Sequence, residues 1–488
     1  MLEDEKAEKT PVIKEIPPKA ADLSEWYQAV CYKAELVSLS PVRGCVVLRP
    51  YGMGLWERLQ SELDRRFKDT GHENAYFPLL IPESLLMREA EHVEGFAPEV
   101  AWVTQGGNEK LTERLAIRPT SEVIIGTMYA EWVQSYRDLP ILINQWANVM
   151  RWEKRTRPFL RTLEFLWQEG HTAHETETEA AAEVAQMLEV YREVAEDIVG
   201  IPVYKGEKSA NERFAGATHT YSIEALMPDG KALQAATSHE LGQNFSKAYD
   251  IKFAGREQNE EYAWTTSWGM SWRMLGALIM VHGDDNGLRI PPKMAPIEVV
   301  IVPLASKGST VAADFAKTLQ AQLKADFRVK LDDRDLRPGN RFAHWDVRGV
   351  PLRIVVGERD LAEGSVTIVR RDKPMSDKAG REMKVATADV AQTLRTLLEE
   401  IQINMFREAR EYLHSHTLVP KTHDEFIALA KSRAGMIDIP YCDRPACEAS
   451  VKEQTSATTR NLRMPAQGPV CLACGEPAKV QAYFAQSY

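Results

Sequence analysis

The sequence predicts an α+β body, then an α/β domain, then a small cysteine-bearing unit, and three observations carry that expectation. Between residue 21 and about 290, helix and strand patterns mix without the regular alternation of a doubly wound sheet, and ten of the eleven tryptophans fall there. After Pro291–Pro296 (PPKMAP), strands alternate with helical patterns up to about residue 400. Beyond that point lie four of the six cysteines. The expected divisions are a loose arm at 1–20, the body at 21–294, the α/β domain at 295–401 and the last unit at 402–488.

With 488 residues, 44% apolar and 27% charged, the chain has material for large cores. That excludes bulk disorder, collagen and a disulfide miniprotein. A net charge of −10 exerts no general pull on polyanions, so any nucleic-acid contact is local. Residues 298–400 carry 18 Lys and Arg against 16 Asp and Glu, which makes this stretch the best polyanion candidate. The charged, Pro-bearing N-terminus lacks the features of a leader. The longest apolar runs resemble Met274–Val281, far short of the roughly 20 residues a bilayer span needs. The expected home is cytoplasmic, with no membrane partner.

Several elements can be justified in chain order. Ile141–Glu153 and Arg161–His171 read as two strands of a long hairpin, joined by a basic loop that holds Lys154, Arg157 and Pro158. Thr176 and Glu179 form a capping-box pattern, and Val184, Met187, Leu188, Tyr191, Val194, Ala195 and Ile198 continue at helical spacing until Gly200 and Pro202. The Pro291–Pro296 stretch reads as a linker. After it come a strand at 297–304, a helix at 309–325, a strand at 327–333, a helix near 341–349, and strands at 351–357 and 365–371.

Five clusters could carry chemistry. Alternate strand residues share a face, so Arg161, Leu163, Phe165, Trp167, Glu169 and His171 line up together. Aromatics interleaved with Arg, Glu and His suit a small polar, partly apolar ligand, or else a surface hairpin with cross-strand ion pairs. Arg151 and Glu153 share a face of the preceding strand, and guanidinium suits a carboxylate or phosphate. Gln234, Thr237, Ser238, His239, Gly242, Gln243 and Asn244 are a polar loop or a site, and His239 alone also fits a structural role. Ser267-Trp268-Gly269 precedes Arg273, which either pairs or snorkels at the start of an apolar helix. Arg118-Pro119-Thr120-Ser121-Glu122 is a helix entry with Thr120 or Ser121 as cap. Finally, Cys442, Cys447, Cys471 and Cys474 have the spacing of a closed four-thiolate Zn²⁺ site, free thiols being the alternative. Cys31 and Cys45 read as core residues.

Taken together, these segments resemble a known family. RWEKRTRPFLRTLEFLWQEGH (151–171), SWGMSWRMLGALIMVHGDDNGL (267–288) and ENAYFPLLIPESLL (73–86) are similar to motifs 2, 3 and 1 of class II aminoacyl-tRNA synthetases. IRPTSE, FLWQEGHTA, TSHELGQNFS and HGDDNGLRIPPK resemble the prolyl-tRNA synthetases of the archaeal/eukaryote-like type. Only 95 residues separate His171 from Ser267, too few for the editing domain that bacterial-type members insert there.

The resemblance implies a catalytic domain built on an antiparallel sheet flanked by helices, an α/β anticodon-binding domain, a small α+β zinc-binding C-terminal domain and a two-fold homodimer. It further implies ATP with Mg²⁺, L-proline and tRNA(Pro) as reactants, and structural Zn²⁺ on the four cysteines. Arg151 and Arg273 would be catalytic. Arg151, Glu153, Arg161, Thr162, Phe165, Gln234, Thr237, Ser271 and Arg273 would bind ATP. Phe96, Thr120, Glu122, Arg151, Trp167, Glu169, His171, Phe214, His239 and Ser267 would surround proline. Asp346, Arg353 and Glu358 would meet the anticodon. Arg289 stands where some relatives have an aliphatic residue, and the sequence gives it no role.

Three rivals make different demands. A threonine enzyme of this class needs a metal in its pocket, and no Cys/His set among the motifs supplies one. A non-catalytic nucleic-acid binder on the same scaffold would lack the phosphate-handling arginines, which are present. A zinc-ribbon module accounts only for the last fifty residues. The enzymatic reading requires Arg151 and Arg273, 122 positions apart, to converge on one nucleotide.

Overall fold

The computed structural model describes residues 15–92, 100–304 and 308–488, and of 88–92 the backbone alone. Most of the expected arm and Phe96 lie outside the described residues. The chain forms two compact units, one of residues 63–195, 203–277 and 413–488, the other of residues up to 62, 196–202 and 278–412.

The first unit is organised by one sheet. Tyr204–Glu207, His219–Leu226, Ala232–Gly242, Trp264–Ser271, Glu164–His174 and Ile141–Met150 are neighbours in that order, each pair antiparallel. The short Glu73–Asn74 strand joins Ile141–Met150 in parallel. At the other end Leu462 pairs with Glu207, and through Thr458–Arg463 the sheet continues into Val480–Ala485, Met436–Tyr441 and Thr417–Leu418. The cysteine-bearing unit therefore extends the sheet of the body.

The 141–174 hairpin is shorter at its loop end than the sequence predicts. Its ladder stops at Met150 and Glu164, although Arg151 N–H still donates to Leu163 O at 2.8 Å. Beyond that, Pro158 offers no N–H and Phe159 takes φ +59°, so the chain turns out of the ladder. The strand instead runs on to His174 at its other end. The helix that follows has the anticipated capping box, Thr176 with Glu179, and spans Glu177–Glu193. Its last turn, Val194–Ile198, is a π-helix, a wider winding that side-chain periodicity does not distinguish. The helix lies on the sheet, with Ser238 Oγ donating to Val184 O at 2.9 Å and Tyr191 Oη to Gln168 Oε1 at 2.7 Å.

The second unit holds a five-stranded sheet. Val329–Leu331, Val299–Leu304 and Leu352–Gly357 run parallel, and Ser365–Arg370 and Glu382–Ala386 add antiparallel strands. Helices Val311–Leu323, Pro338–Val347 and Val390–Ser415 accompany it. Val299, Ile301, Leu352, Ile354, Val366 and Ile368 form its core with Ala316, Leu319, Leu394 and Leu397. The expected linker is a packed joint instead. Pro292–Met294 is a 3₁₀ turn, Met294 and Ala295 are buried, and Arg328 donates to Pro292 O and Ala295 O at 2.8 Å each. Proline content marks stiff backbone, which can be buried as readily as exposed when its carbonyls find donors. Arg289 ties the same unit together, donating to Asp372 O at 2.7 Å and Glu408 Oε2 at 2.8 Å.

Gly170 pairs with Trp268 of the neighbouring strand, and the indole occupies the space beside it. A Cβ there would lie 2.1 Å from the indole of Trp268, a residue 1% exposed. Gly170→Ala should destabilise the first unit by at least about 3 kcal/mol, the upper range for an overpacked core, as read from chemical denaturation. A change below about 0.5 kcal/mol would mean that Trp268 is free to move.

Candidate active site

A cavity of about 280 Å³ opens on one face of the antiparallel sheet in the first unit. Glu164–His174 sends Phe165, Trp167, Glu169 and His171 to it, the alternation that the sequence reading relied on. Ala232–Gly242 supplies Gln234, Thr237 and His239. Strict alternation would turn residue 234 away from 237 and 239. A bulge resolves this: Ile223 faces Ala236 while Glu224 faces Gln234, leaving Ala235 as the extra residue. Ser267 and Ser271 come from the next strand, Thr120 and Glu122 from the entry to helix Glu122–Trp132, Phe214 from a loop, and Arg151 and Arg273 from opposite ends of the motif region.

Arg151 and Arg273 therefore face one space. Arg151 keeps a face open to the cavity and donates through Nε to Pro119 O at 3.1 Å. Its guanidinium carbon lies 5.5 Å from the Phe165 ring and 5.4 Å from that of Trp167. Loss of water lowers its pKa against the opposing pull of Glu122, Glu169 and Glu153. Half-buried Arg273 donates through Nε to Leu160 O at 3.2 Å. Its pKa is lowered by burial and then by the charges of Arg151 and Arg161. Two guanidinium groups facing one cavity, the charge of Arg151 weighing on Arg273, suit an anion of more than one charge.

The same cavity also carries the opposite charge, and Glu122 and Glu169 pull on Arg151. Glu169, 3% exposed, accepts from Ser121 Oγ at 2.5 Å and Gln145 Nε2 at 2.8 Å and lies 3.2 Å from His171 Nε2. Burial would raise its pKa, yet the bond and charge of His171, with the Ser121 and Gln145 bonds, hold it below the usual carboxylate range. The same partnership raises His171 against burial, with Glu122 and Glu169 both contributing. Ser121 occupies the N-cap position without capping, because its hydroxyl is committed to Glu169. Glu122 accepts from Thr120 Oγ1. Among the described residues, the buried Ser267 Oγ and Trp167 Nε1 have no hydrogen-bond partner, and both residues line the cavity. These groups suit a small molecule with a cationic nitrogen and an apolar body.

Glu153, Arg161 and Thr162 do not line the cavity. Arg161 sits 3.8 Å from Glu153 on the turn that leaves the ladder, and Thr162 is buried. Conversely, Glu212, Thr220, Ala235, Ala236 and Met270 line it although no sequence cluster contains them, and Trp268 and Gly269 of the third cluster line it too. Thr220 Oγ1 lies 3.0 Å from His239 Nδ1, and Phe214 stacks at 4.6 Å on the same imidazole. No single-sequence pattern links these positions, since the loop at 208–218 has neither period. Glu122, Glu169 and His171 also offer ligand atoms within 4.8 Å of one another, a set that a search for Cys and His alone passes over. Glu169 and His171 are already bonded to each other, Glu122 to Thr120, and Glu169 also to Ser121 and Gln145.

The four cysteines do come together. Sγ of Cys442 is 3.6 Å from that of Cys474, Sγ of Cys447 is 4.0 Å from that of Cys471, and all four lie within 4.8 Å. Tetrahedral Zn–S bonds of about 2.3 Å put sulfurs about 3.8 Å apart, so the donor set fits that ion. In the second unit, Arg353, 8% exposed, donates to Asp346 Oδ1 at 2.9 Å, and its guanidinium carbon lies 4.4 Å from the Phe342 ring. Glu358 begins the short Glu358–Ala362 helix. Among the described residues no helix is long and apolar enough to cross a membrane.

Burial and the nearby His171 charge push His239 down to about 3 from its ordinary 6.5. The unfolded chain then takes the proton first, so the stability His239 lends is full above pH 6.5 and is lost as pH falls toward 3. Chemical denaturation at pH 6.5 and pH 4 should show a loss on the order of 3 kcal/mol from this residue, and His239→Gln should flatten that part of the slope. An unchanged slope in the variant would assign the acid lability elsewhere.

Comparison with known proteins agrees along the whole chain. Residues 102–282 match the tRNA synthetase class II core domain (G, H, P, S and T), residues 298–397 the anticodon binding domain, and residues 423–488 the prolyl-tRNA synthetase C-terminal domain. A proline–tRNA ligase of Symbiobacterium thermophilum is 53% identical over 98% of this chain and 99% of that protein. Proline–tRNA ligases of Natranaerobius thermophilus and Alkaliphilus oremlandii are each 50% identical over 98% of both chains. With this identity running through core, anticodon and C-terminal domains alike, the chain belongs to the prolyl-tRNA synthetases, a family of class II aminoacyl-tRNA synthetases.

Proposed function

We propose that the chain is a proline–tRNA ligase that activates L-proline with ATP and passes the prolyl group to the 3′ end of tRNA(Pro). The observation that carries this reading is one cavity lined by Arg151 and Arg273 together with Glu122, Glu169 and His171. A carboxylate oxygen of proline attacks the α-phosphorus of ATP. The new C–O–P bond forms as the bond to the β-phosphate bridge breaks, and pyrophosphate leaves. The terminal ribose hydroxyl of the tRNA then attacks the prolyl carbonyl, AMP departs, and the hydroxyl proton is lost.

No side chain forms a covalent bond in this scheme; orientation and charge neutralisation supply the catalysis. Arg151 spans the proline carboxylate and the α-phosphate, and Arg273 takes the outer phosphates or the purine face. Phe165 stacks on adenine. Thr237 and Gln234 meet the ribose, Gln234 also being suited to the Mg²⁺ that accompanies ATP, and Ser271 lies beside them. Thr120 and Glu122 accept the two protons of the secondary ammonium. Trp167, Phe214, His239 and Ser267 enclose the pyrrolidine ring, with Glu169 and His171 fixing the floor. Glu153, Arg161 and Thr162 act from the turn above the cavity. Asp346, Arg353 and Glu358 meet the anticodon bases. The molecule works as a cytoplasmic homodimer with Zn²⁺ on its four cysteines.

Pyrophosphate exchange across the twenty amino acids should be greatest with proline, and Arg151→Ala should lower it about a hundredfold or more. Best exchange with threonine or histidine would overturn the substrate. Alanine should give a weak but measurable signal, because missing methylenes are worth only roughly 1–3 kcal/mol each. Elemental analysis should find zinc equimolar with the chain, and Cys447→Ser or Cys471→Ser should lose it and lower the melting temperature. Full zinc retention in both variants would reject the four-thiolate site.

A further inference from the structure

The loop that carries Phe214 to the cavity is fastened, almost residue by residue, to the cysteine-bearing unit. Glu212, a cavity-wall residue, is held by Nη2 of Arg460 at 2.9 Å. Arg460 is 3% exposed and sits in the Thr458–Arg463 strand, where Thr458 Oγ1 also accepts from it. Two residues before Glu212's neighbour Asn211, Ser209 Oγ donates to Glu448 Oε2 at 2.6 Å and accepts from Thr459 Oγ1 at 2.8 Å. Glu448 is 1% exposed and follows Cys447 directly in the Pro445–Thr455 helix. Asn211 Nδ2 donates to Pro445 O at 3.1 Å.

The other end of this loop reaches the amino-acid subsite of the cavity. Phe214 N–H donates to Thr220 Oγ1 at 3.0 Å, and the same oxygen lies 3.0 Å from His239 Nδ1. A loop without helix or strand periodicity has little local reason to hold one conformation. Here a buried guanidinium and a buried carboxylate, both on the cysteine-bearing unit, supply that reason. Because Glu448 adjoins a cysteine of the cluster, the cluster's geometry bears on the loop.

We infer that Arg460, supported by the Glu448–Ser209 contact, is a positioning residue that shapes the amino-acid subsite from the C-terminal unit by fixing Glu212 and, through the loop, Phe214. This deepens the proline-activating reading and rests on it. Arg460 touches no substrate; its effect is on the wall that proline meets, not on the phosphate subsite.

The test is pyrophosphate exchange with the full-length enzyme, varying proline and ATP separately. Arg460→Ala should raise the proline KM about tenfold and leave the ATP KM within about twofold, and Arg460→Lys should recover part of the loss. Ser209→Ala removes the second fastening without unpairing a charge on the loop and should raise the proline KM about threefold; it keeps the inference exposed if Arg460→Ala does not fold. A proline KM within twofold of the parent in the variants that fold, or proline and ATP KM rising together, overturns the inference. Absence of proline-dependent exchange in the parent enzyme would instead strike the functional reading itself.

Discussion

The structure turns on opposite charges gathered on one small cavity. Arg151 and Arg273 line it with lowered pKa values, and Glu122, Glu169 and His171 line it with them, Glu169 lying against His171. A charge held partly away from water is costly unless paired. A ligand that carries both an anionic and a cationic group pairs with both sets. An amino acid beside a polyphosphate has that polarity, and the cavity's aromatic walls add the apolar contact a ring requires.

The sheet makes this gathering possible. Five of its strands and the segments that leave them deliver charges from positions more than a hundred residues apart, and hydrogen-bonded strands keep them in fixed register. The bulge at Ala235 and the close approach of Gly170 to Trp268 are local departures that serve the same end. One turns Gln234 toward the cavity; the other leaves room for a large indole that a Cβ at 170 would displace. Rigid elements hold the charged groups, and the one irregular wall borrows its rigidity from the cysteine-bearing unit.

That arrangement gives the C-terminal unit a place in the architecture beyond gathering its four cysteines. Its strands continue the central sheet through Leu462 and Glu207, and several of its buried polar side chains bond residues of the body. Thr459 and Glu448 bond Ser209 across this seam, and Asn461 bonds Ser222 O. Buried polar contacts of this kind specify one docking geometry, since any shift leaves donors and acceptors unpaired.

The sequence by itself determined what local chemistry determines. Period-two alternation put Phe165, Trp167, Glu169 and His171 on one face, the capping box began the helix at Glu177, and cysteine spacing grouped four thiols. The family resemblance drew on motifs that are contiguous in the chain. Tertiary structure alone decided the convergence of Arg151 with Arg273, the turning of Gln234 by a bulge, the diversion of Ser121 from capping to Glu169, and the holding of Glu212 by Arg460. It also decided that the proline-rich stretch at 291–296 is buried. The physical reason is the same in each case. Periodicity and caps act within a few residues, whereas a partner supplied by another strand is chosen by sheet register and packing, which no local pattern encodes.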